Sequence, residues 1–259
     1  MLKSKNRISK ILQKLHSAQR KGLAWLIDPD KIACLKAFQD TFDWVAESDL
    51  DLIFVGGSQL GRDNFVEVVR KVKSISGDIP VVLFPGSSFQ VDEQADGILF
   101  LSLLSGRNPE YLIGQQVQAA PRINQMDIEV LPTAYLLVND QDQTSVQNVS
   151  QTTPLSNTAP DFVEATALAG KFLGMDYCYL EAGSGASIPV AQQVISQVKS
   201  AIDAPLIVGG GIDTVDKANR AFYAGADLIV VGNAIEKDPG FLAEVLACKS
   251  FRNASLNVN

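Results

Sequence analysis

The sequence predicts a modified (β/α)8 barrel of the TIM type, on three observations. Short β-rich apolar runs alternate with helical patterns along the whole chain, which argues for a parallel sheet joined by crossover helices. Several of these runs are continuously apolar, as strands buried on both faces must be. Eight of them in 259 residues match the usual length of a closed barrel, about 250 residues in one domain.

The strands are expected at 23–28, 52–55, 81–84, 98–101, 134–138, 177–181, 206–208 and 228–231. The clearest helical patterns cover 31–47, 64–76, 162–173, 189–201, 215–223 and 241–247. Only 13 residues separate Phe84 from Ile98, and they include Pro85, Gly86 and Gly97. A crossover between parallel strands needs a dozen or more residues including its helix, so the third crossover helix should be missing or very short. A second irregularity is the polar stretch 139–160, rich in Gln, Ser, Thr and Asn. Its length points to an active-site lid or binding loop. No linker divides the chain, and 1–259 reads as a single barrel domain.

Composition narrows the function. Hydrophobic residues make up 46% of the chain and charged residues 20%, enough for a large core. Seven of the 22 basic residues lie in the first 21 positions, leaving 15 basic against 29 acidic residues in the body. So acidic a body excludes nucleic-acid binding as its business. Within the basic segment 1–21, Ile8, Ile11, Leu12 and Leu15 form one apolar face at helical spacing. That face fits a helix capping the barrel floor, or alternatively a peripheral contact with anionic lipid. Cys34, Cys178 and Cys248 are far apart and odd in number, which argues against a disulfide framework or a zinc site. His16 is the sole histidine, so histidine acid–base chemistry and a Ser-His-Asp triad are excluded. No apolar run nears the roughly 18 residues of a membrane span and no signal-peptide core is seen, so a cytoplasmic protein is expected.

In this fold the active site forms where strands end, and the unusual residues gather there. The seventh strand runs into Gly209-Gly210-Gly211 and the eighth into Gly232-Asn233-Ala234. Glycine backbone can converge its N–H groups on an anion, and the following helices would add their N-termini. These two loops are therefore the expected phosphate site. Alternation along the sixth strand puts Tyr177, Tyr179 and Glu181 on one face, followed by Ala182-Gly183-Ser184-Gly185. Glu181 is the expected base for a substrate hydroxyl. At the end of the first strand, Asp30 is expected to cap the following helix. Asp28, and Ser58 beside it on the second strand end, offer oxygen ligands for a hard cation such as Mg²⁺.

The runs Leu26-Ile27-Asp28-Pro29-Asp30-Lys31, Val55-Gly56-Gly57-Ser58, Tyr179-Leu180-Glu181-Ala182-Gly183-Ser184-Gly185-Ala186, Val208-Gly209-Gly210-Gly211-Ile212 and Val231-Gly232-Asn233 resemble the geranylgeranylglyceryl phosphate synthase family, which includes heptaprenylglyceryl phosphate synthases. Order and spacing fit from about residue 20 to residue 245. The resemblance implies a Mg²⁺-dependent prenyltransferase that joins a polyprenyl diphosphate, geranylgeranyl by the family name, to the primary hydroxyl of sn-glycerol 1-phosphate in ether-lipid synthesis. It places Mg²⁺ on Asp28 and Ser58. It places glycerol phosphate on Tyr179, Leu180, Glu181, Ala182, Gly183, Ser184, Gly185, Gly210, Gly211, Gly232 and Asn233, with Glu181 and Tyr179 at the chemistry. It further implies a homo-oligomer, dimer or hexamer. Some members carry a basic residue where this chain has Leu26, so any phosphate contact from that position is lost here. A prenyl tail would enter through the thin wall after the third strand, against Phe100, Leu101, Leu103, Leu104, Tyr111 and Leu112. The rival readings are a phosphosugar isomerase pairing Asp28 with Asp140, and an inactive barrel serving as a binding protein.

Overall fold

The computed structural model describes residues 6–57, 64–140 and 144–256. Its elements run α1 (Arg7–Ser17), β1 (Gly22–Ile27), α2 (Leu35–Phe42), β2 (Leu52–Val55), α3 (Phe65–Ile75), β3 (Val81–Leu83), β4 (Gly97–Leu103), α4 (Gln115–Ile123), β5 (Glu129–Leu137), α5 (Ser145–Ser150), α6 (Pro160–Phe172), β6 (Tyr177–Glu181), α7 (Gln192–Ile202), β7 (Leu206–Gly209), α8 (Val215–Ala224), β8 (Leu228–Val231), α9 (Asn233–Lys237) and α10 (Gly240–Leu256). The eight strands pair in sequence order, all parallel, and β8 returns to β1 to close the barrel.

Side-chain alternation divides the core in two. Leu23, Trp25 and Ile27 of β1 point outward into the layer between barrel and helices. Ala24 points inward, joining Leu52, Phe54, Val82, Leu99, Tyr135, Tyr179, Ile207 and Val230 inside the barrel. The inner set rests on α1, which closes the floor. Ile8, Leu12 and Leu15 of α1 are buried, and the backbone N–H groups of Ile8 and Ser9 each donate to the Glu129 carboxylate at 2.8 Å. A carboxylate there satisfies orphan donors and opposes the helix dipole. Within the basic segment the described helix is α1 alone, and its apolar face packs on the barrel, while Arg7, Lys10 and Lys14 remain at the surface. Among the described residues no helix is long and apolar enough to cross a membrane.

No helix lies between β3 and β4, as the short spacing predicts. The segment is instead pinned across the end of β2, where Gln90 Nε2 donates to the Gly57 carbonyl at 3.0 Å and Gly86 N–H donates to Gln90 Oε1 at 3.1 Å. The polar stretch 139–160 differs from expectation in one respect. It carries α5, a short helix entered through a reciprocal Thr144–Gln147 capping box, and Leu155 bridges back to Val138. Tyr111 Oη donates to the Val149 carbonyl at 3.0 Å and fastens α5 over the barrel mouth.

Candidate active site

A cavity of about 600 Å³ opens at the carboxyl ends of the strands. Asp28, Tyr179, Glu181, Gly183, Ser184, Gly185, Gly210, Gly211, Gly232 and Asn233 all line it. Leu180 and Ala182 do not. Their side chains face the outer layer, so only their backbone could meet a ligand. Ser58 lies outside the described residues. Asp140 accepts from Asn157 N–H at 3.0 Å and is not part of the cavity wall, so the Asp28–Asp140 pairing an isomerase would need does not form.

The sixth strand does what its alternation predicts. Tyr177 and Tyr179 face the barrel interior, and Glu181 rises above them, only 5% exposed. Burial drives its carboxyl up to about 7, opposed by the hydrogen bond from Gly183 N–H at 2.7 Å and by the nearby Tyr179 hydroxyl. That hydroxyl is buried without a well-formed hydrogen bond of its own. Burial first, and the Glu181 charge second, raise the phenol well above its usual value, so Tyr179 stays neutral.

The room for these groups comes from β7. A Cβ on Gly209 would collide with the Tyr179 hydroxyl and lie 2.8 Å from Glu181 Oε2. Gly210 has φ +80°, and a Cβ there would strike Glu181 Oε1 and lie 2.6 Å from Gly183 N. Close approach and left-handed backbone both require glycine at 210. The two phosphate loops then diverge from expectation. Helix α9 begins at Asn233, directly after Gly232. Helix α8 begins only at Val215, where Thr214 Oγ1 caps it by accepting Lys217 N–H at 3.2 Å. Any anion at Gly210 and Gly211 therefore meets loop backbone rather than that helix end.

At the end of β1 the expected cap is not the one observed. Asp28, not Asp30, is the cap, accepting Asp30 N–H at 3.1 Å into the 3-10 turn Pro29–Lys31. Pro29, with its fixed φ and no N–H to satisfy, starts the turn two residues earlier than an Asp30 cap would. Asp28 Oδ2 lies 3.6 Å from Lys31 Nζ, which also lies 2.9 Å from Glu236 Oε2. Burial raises the Glu236 carboxyl, opposed mainly by Lys31. Among the described residues no three His, Cys, Asp or Glu side chains converge as a metal cage. Asp28 still suits Mg²⁺, which is commonly held by one or two carboxylates, waters and substrate phosphates.

A second cavity, about 100 Å³ and mainly apolar, lies behind the thin wall. Phe100, Leu101, Leu103 and Tyr111 line it as the sequence predicts, but Leu104 and Leu112 do not. Leu104 packs outward beside Gly170. Leu112 is absent from the lining, though its carbonyl accepts from Ser102 Oγ at 2.7 Å. Sequence reasoning missed Ala119 and Ile123 of α4, and Val146 and Val149 of α5. The Thr144-x-x-Gln147 capping box was the available signal for α5. Gly57, Phe84, Tyr135, Val146 and Val149 line both cavities. Phe84 stacks on Tyr179 at 5.5 Å and meets Tyr135 edge-on at 5.9 Å, forming an aromatic partition between them.

A closed βα barrel with a buried carboxylate of raised pKa among glycine-rich strand-end loops defines a barrel enzyme, and its large cavity lies at the end of the fold where such enzymes carry their sites. More narrowly, the chain belongs to the PcrB family, whose sequence pattern matches residues 17–249. It is 44% identical over 235 residues to a geranylgeranylglyceryl phosphate synthase of Spirosoma linguale, a match covering 91% of this chain and 94% of that protein. It is 42% identical over 217 residues to the protein of the same name from Thermococcus gammatolerans, covering 82% and 83% respectively. A crystal structure of (S)-3-O-geranylgeranylglyceryl phosphate synthase from Thermoplasma acidophilum, in complex with sn-glycerol-1-phosphate, superposes with a TM-score of 0.84 at 33% identity, covering 94% of this chain and 96% of that one.

Proposed function

We propose that this enzyme transfers a polyprenyl group from its diphosphate to the free primary hydroxyl of sn-glycerol 1-phosphate. One observation carries the reading. A polar, glycine-walled cavity with a base and an apolar cavity share a wall of five residues, which suits a donor with an anionic head and a hydrocarbon tail. The relatives' names point to the same pair of substrates.

In the reaction the allylic C–O bond breaks and its electron pair leaves with diphosphate. A lone pair on the glycerol hydroxyl forms the new ether bond, and its proton passes to Glu181. Because the allylic carbon becomes cation-like, the alcohol acidifies as it attacks, and a carboxylate titrating at about 7 is a strong enough base. Gly183 N–H fixes one carboxylate oxygen. Tyr179 positions the glycerol beside the other. Gly210, Gly211, Gly232, Asn233 and Ser184 bind its phosphate. Asp28 is the described residue that would hold Mg²⁺. What that ion supplies when bound is neutralisation of charge on the leaving group.

Incubation with glycerol 1-phosphate and a ladder of prenyl diphosphates tests the reading, with prenylglyceryl phosphate as the expected product. Release of diphosphate without an ether product would sink it. Asp28→Asn should raise the Mg²⁺ concentration needed for half-maximal activity by roughly tenfold or more, as loss of a charged ligand contact does. Glycerol 1-phosphate affinity should stay unchanged in that variant. Full activity in excess chelator would remove the ion from the reaction.

A further inference from the structure

We infer that Lys31 is a substrate-binding residue that joins the donor and acceptor subsites and takes the diphosphate as it departs. The inference rests on the prenyl-transfer reading above and adds a residue to it. Lys31 ends the 3-10 turn that Asp28 caps, and its side chain lines the large cavity. Its ammonium donates to Asn233 Oδ1, lies 2.9 Å from Glu236 Oε2 and lies 3.6 Å from Asp28 Oδ2. Asn233 in turn donates to Ser184 Oγ at 3.3 Å. One cation thus touches the carboxylate assigned to the metal–diphosphate and the amide assigned to glycerol phosphate.

Charge makes this contact consequential. The described residues lining the cavity include the carboxylates Asp28, Glu181, Asp213 and Glu236 but only the cations Lys31 and Lys237. Two phosphorylated substrates would bring several more negative charges to the same space. An ammonium has three N–H donors. Asn233 and Glu236 engage two, and Asp28 lies beyond hydrogen-bond distance. The third donor is left with the looser ion pair to Asp28 at 3.6 Å and can turn to a phosphate oxygen. A structural reading, in which Lys31 staples the turn to α9, explains less. The side chain is 38% exposed, and exposed ion pairs contribute little to fold stability. A long flexible point charge is instead suited to follow a leaving group over a short distance.

The test compares wild type, Lys31→Met and Lys31→Arg by calorimetry with inorganic diphosphate plus Mg²⁺, then with glycerol 1-phosphate, alongside melting temperature and steady-state rates. The Met variant should bind Mg²⁺–diphosphate about tenfold or more weakly, the usual worth of a charge-assisted contact. Its kcat should fall about 10²-fold, as expected when a cation is withdrawn from developing charge. Its melting temperature should not move, and Arg should restore most of the diphosphate affinity. Should Met impair folding, Lys31→Gln carries the same comparison. Diphosphate affinity and kcat equal to wild type in a folded Met or Gln variant would overturn the inference while leaving prenyl transfer intact. A wild-type enzyme that binds neither ligand would overturn the prenyl-transfer reading and this inference with it.

Discussion

Glu181→Gln should leave the barrel folded and lower turnover by about 10²–10⁴-fold, the usual worth of a general base. Gln keeps an oxygen to accept from Gly183 N–H and fills the same space above Gly209 and Gly210, so the loss isolates proton transfer from packing. The pH dependence has a definite sign. With a carboxyl at about 7 in the folded enzyme, kcat/KM for wild type should rise with pH through that value and level off above it. The Gln variant should show no such limb. Stability should move the other way. Because the folded-state pKa lies above the unfolded value, the protonated form carries no penalty below about pH 4.5. The cost of burying the charge accrues as pH rises and is complete above about 7. Glu181→Gln removes that cost and should be more stable than wild type at pH 8, on the order of 3 kcal/mol for a buried group shifted by this much. Near-wild-type turnover, with chemistry shown to limit the rate, would take Glu181 out of the mechanism.

The site was legible wherever strand alternation decided it. Tyr177, Tyr179 and Glu181 face inward because a two-residue period leaves them no choice. The missing helix before β4 was legible from length alone. Other parts depended on information that local pattern does not carry. Helix α4 follows a π-helical turn over Glu110–Gly114 and contains Pro121, and its polar Gln115, Gln116 and Gln118 blur the apolar period. The start of β5 was missed because Glu129 and Pro132 interrupt its apolar run. There Glu129 serves α1 rather than its own strand. Leu104 looked like groove lining by proximity in sequence, but β4 ends at Leu103 and the next side chain turns toward Gly170. Lys31 stood in the run that carries the resemblance but was given no role there. Its place between Asp28, Asn233 and Glu236 arises when barrel closure brings β8 beside β1.

Ala119→Phe should shorten the longest prenyl chain the enzyme accepts while leaving glycerol 1-phosphate affinity unchanged. Ala119 is 7% exposed on α4 and borders the apolar cavity, so an added ring would occupy space proposed for the tail. Buried hydrocarbon contributes about 0.8 kcal/mol per CH₂, hence about 4 kcal/mol for one five-carbon unit, or roughly 10³-fold in relative kcat/KM between adjacent donors. That ceiling applies if a whole unit is displaced. Partial displacement gives less but the same direction, with the longest donors penalised most. Leu101→Trp, which approaches the cavity from β4, should shift the profile the same way and guards against a packing defect peculiar to α4. Neither substitution touches Glu181 or the glycine loops, so the rate with the shortest accepted donor should stay near wild type. A chain-length profile unchanged in both folded variants would place the tail elsewhere, and the aromatic partition of Phe84, Tyr135 and Tyr179 would then be the floor of a purely polar site.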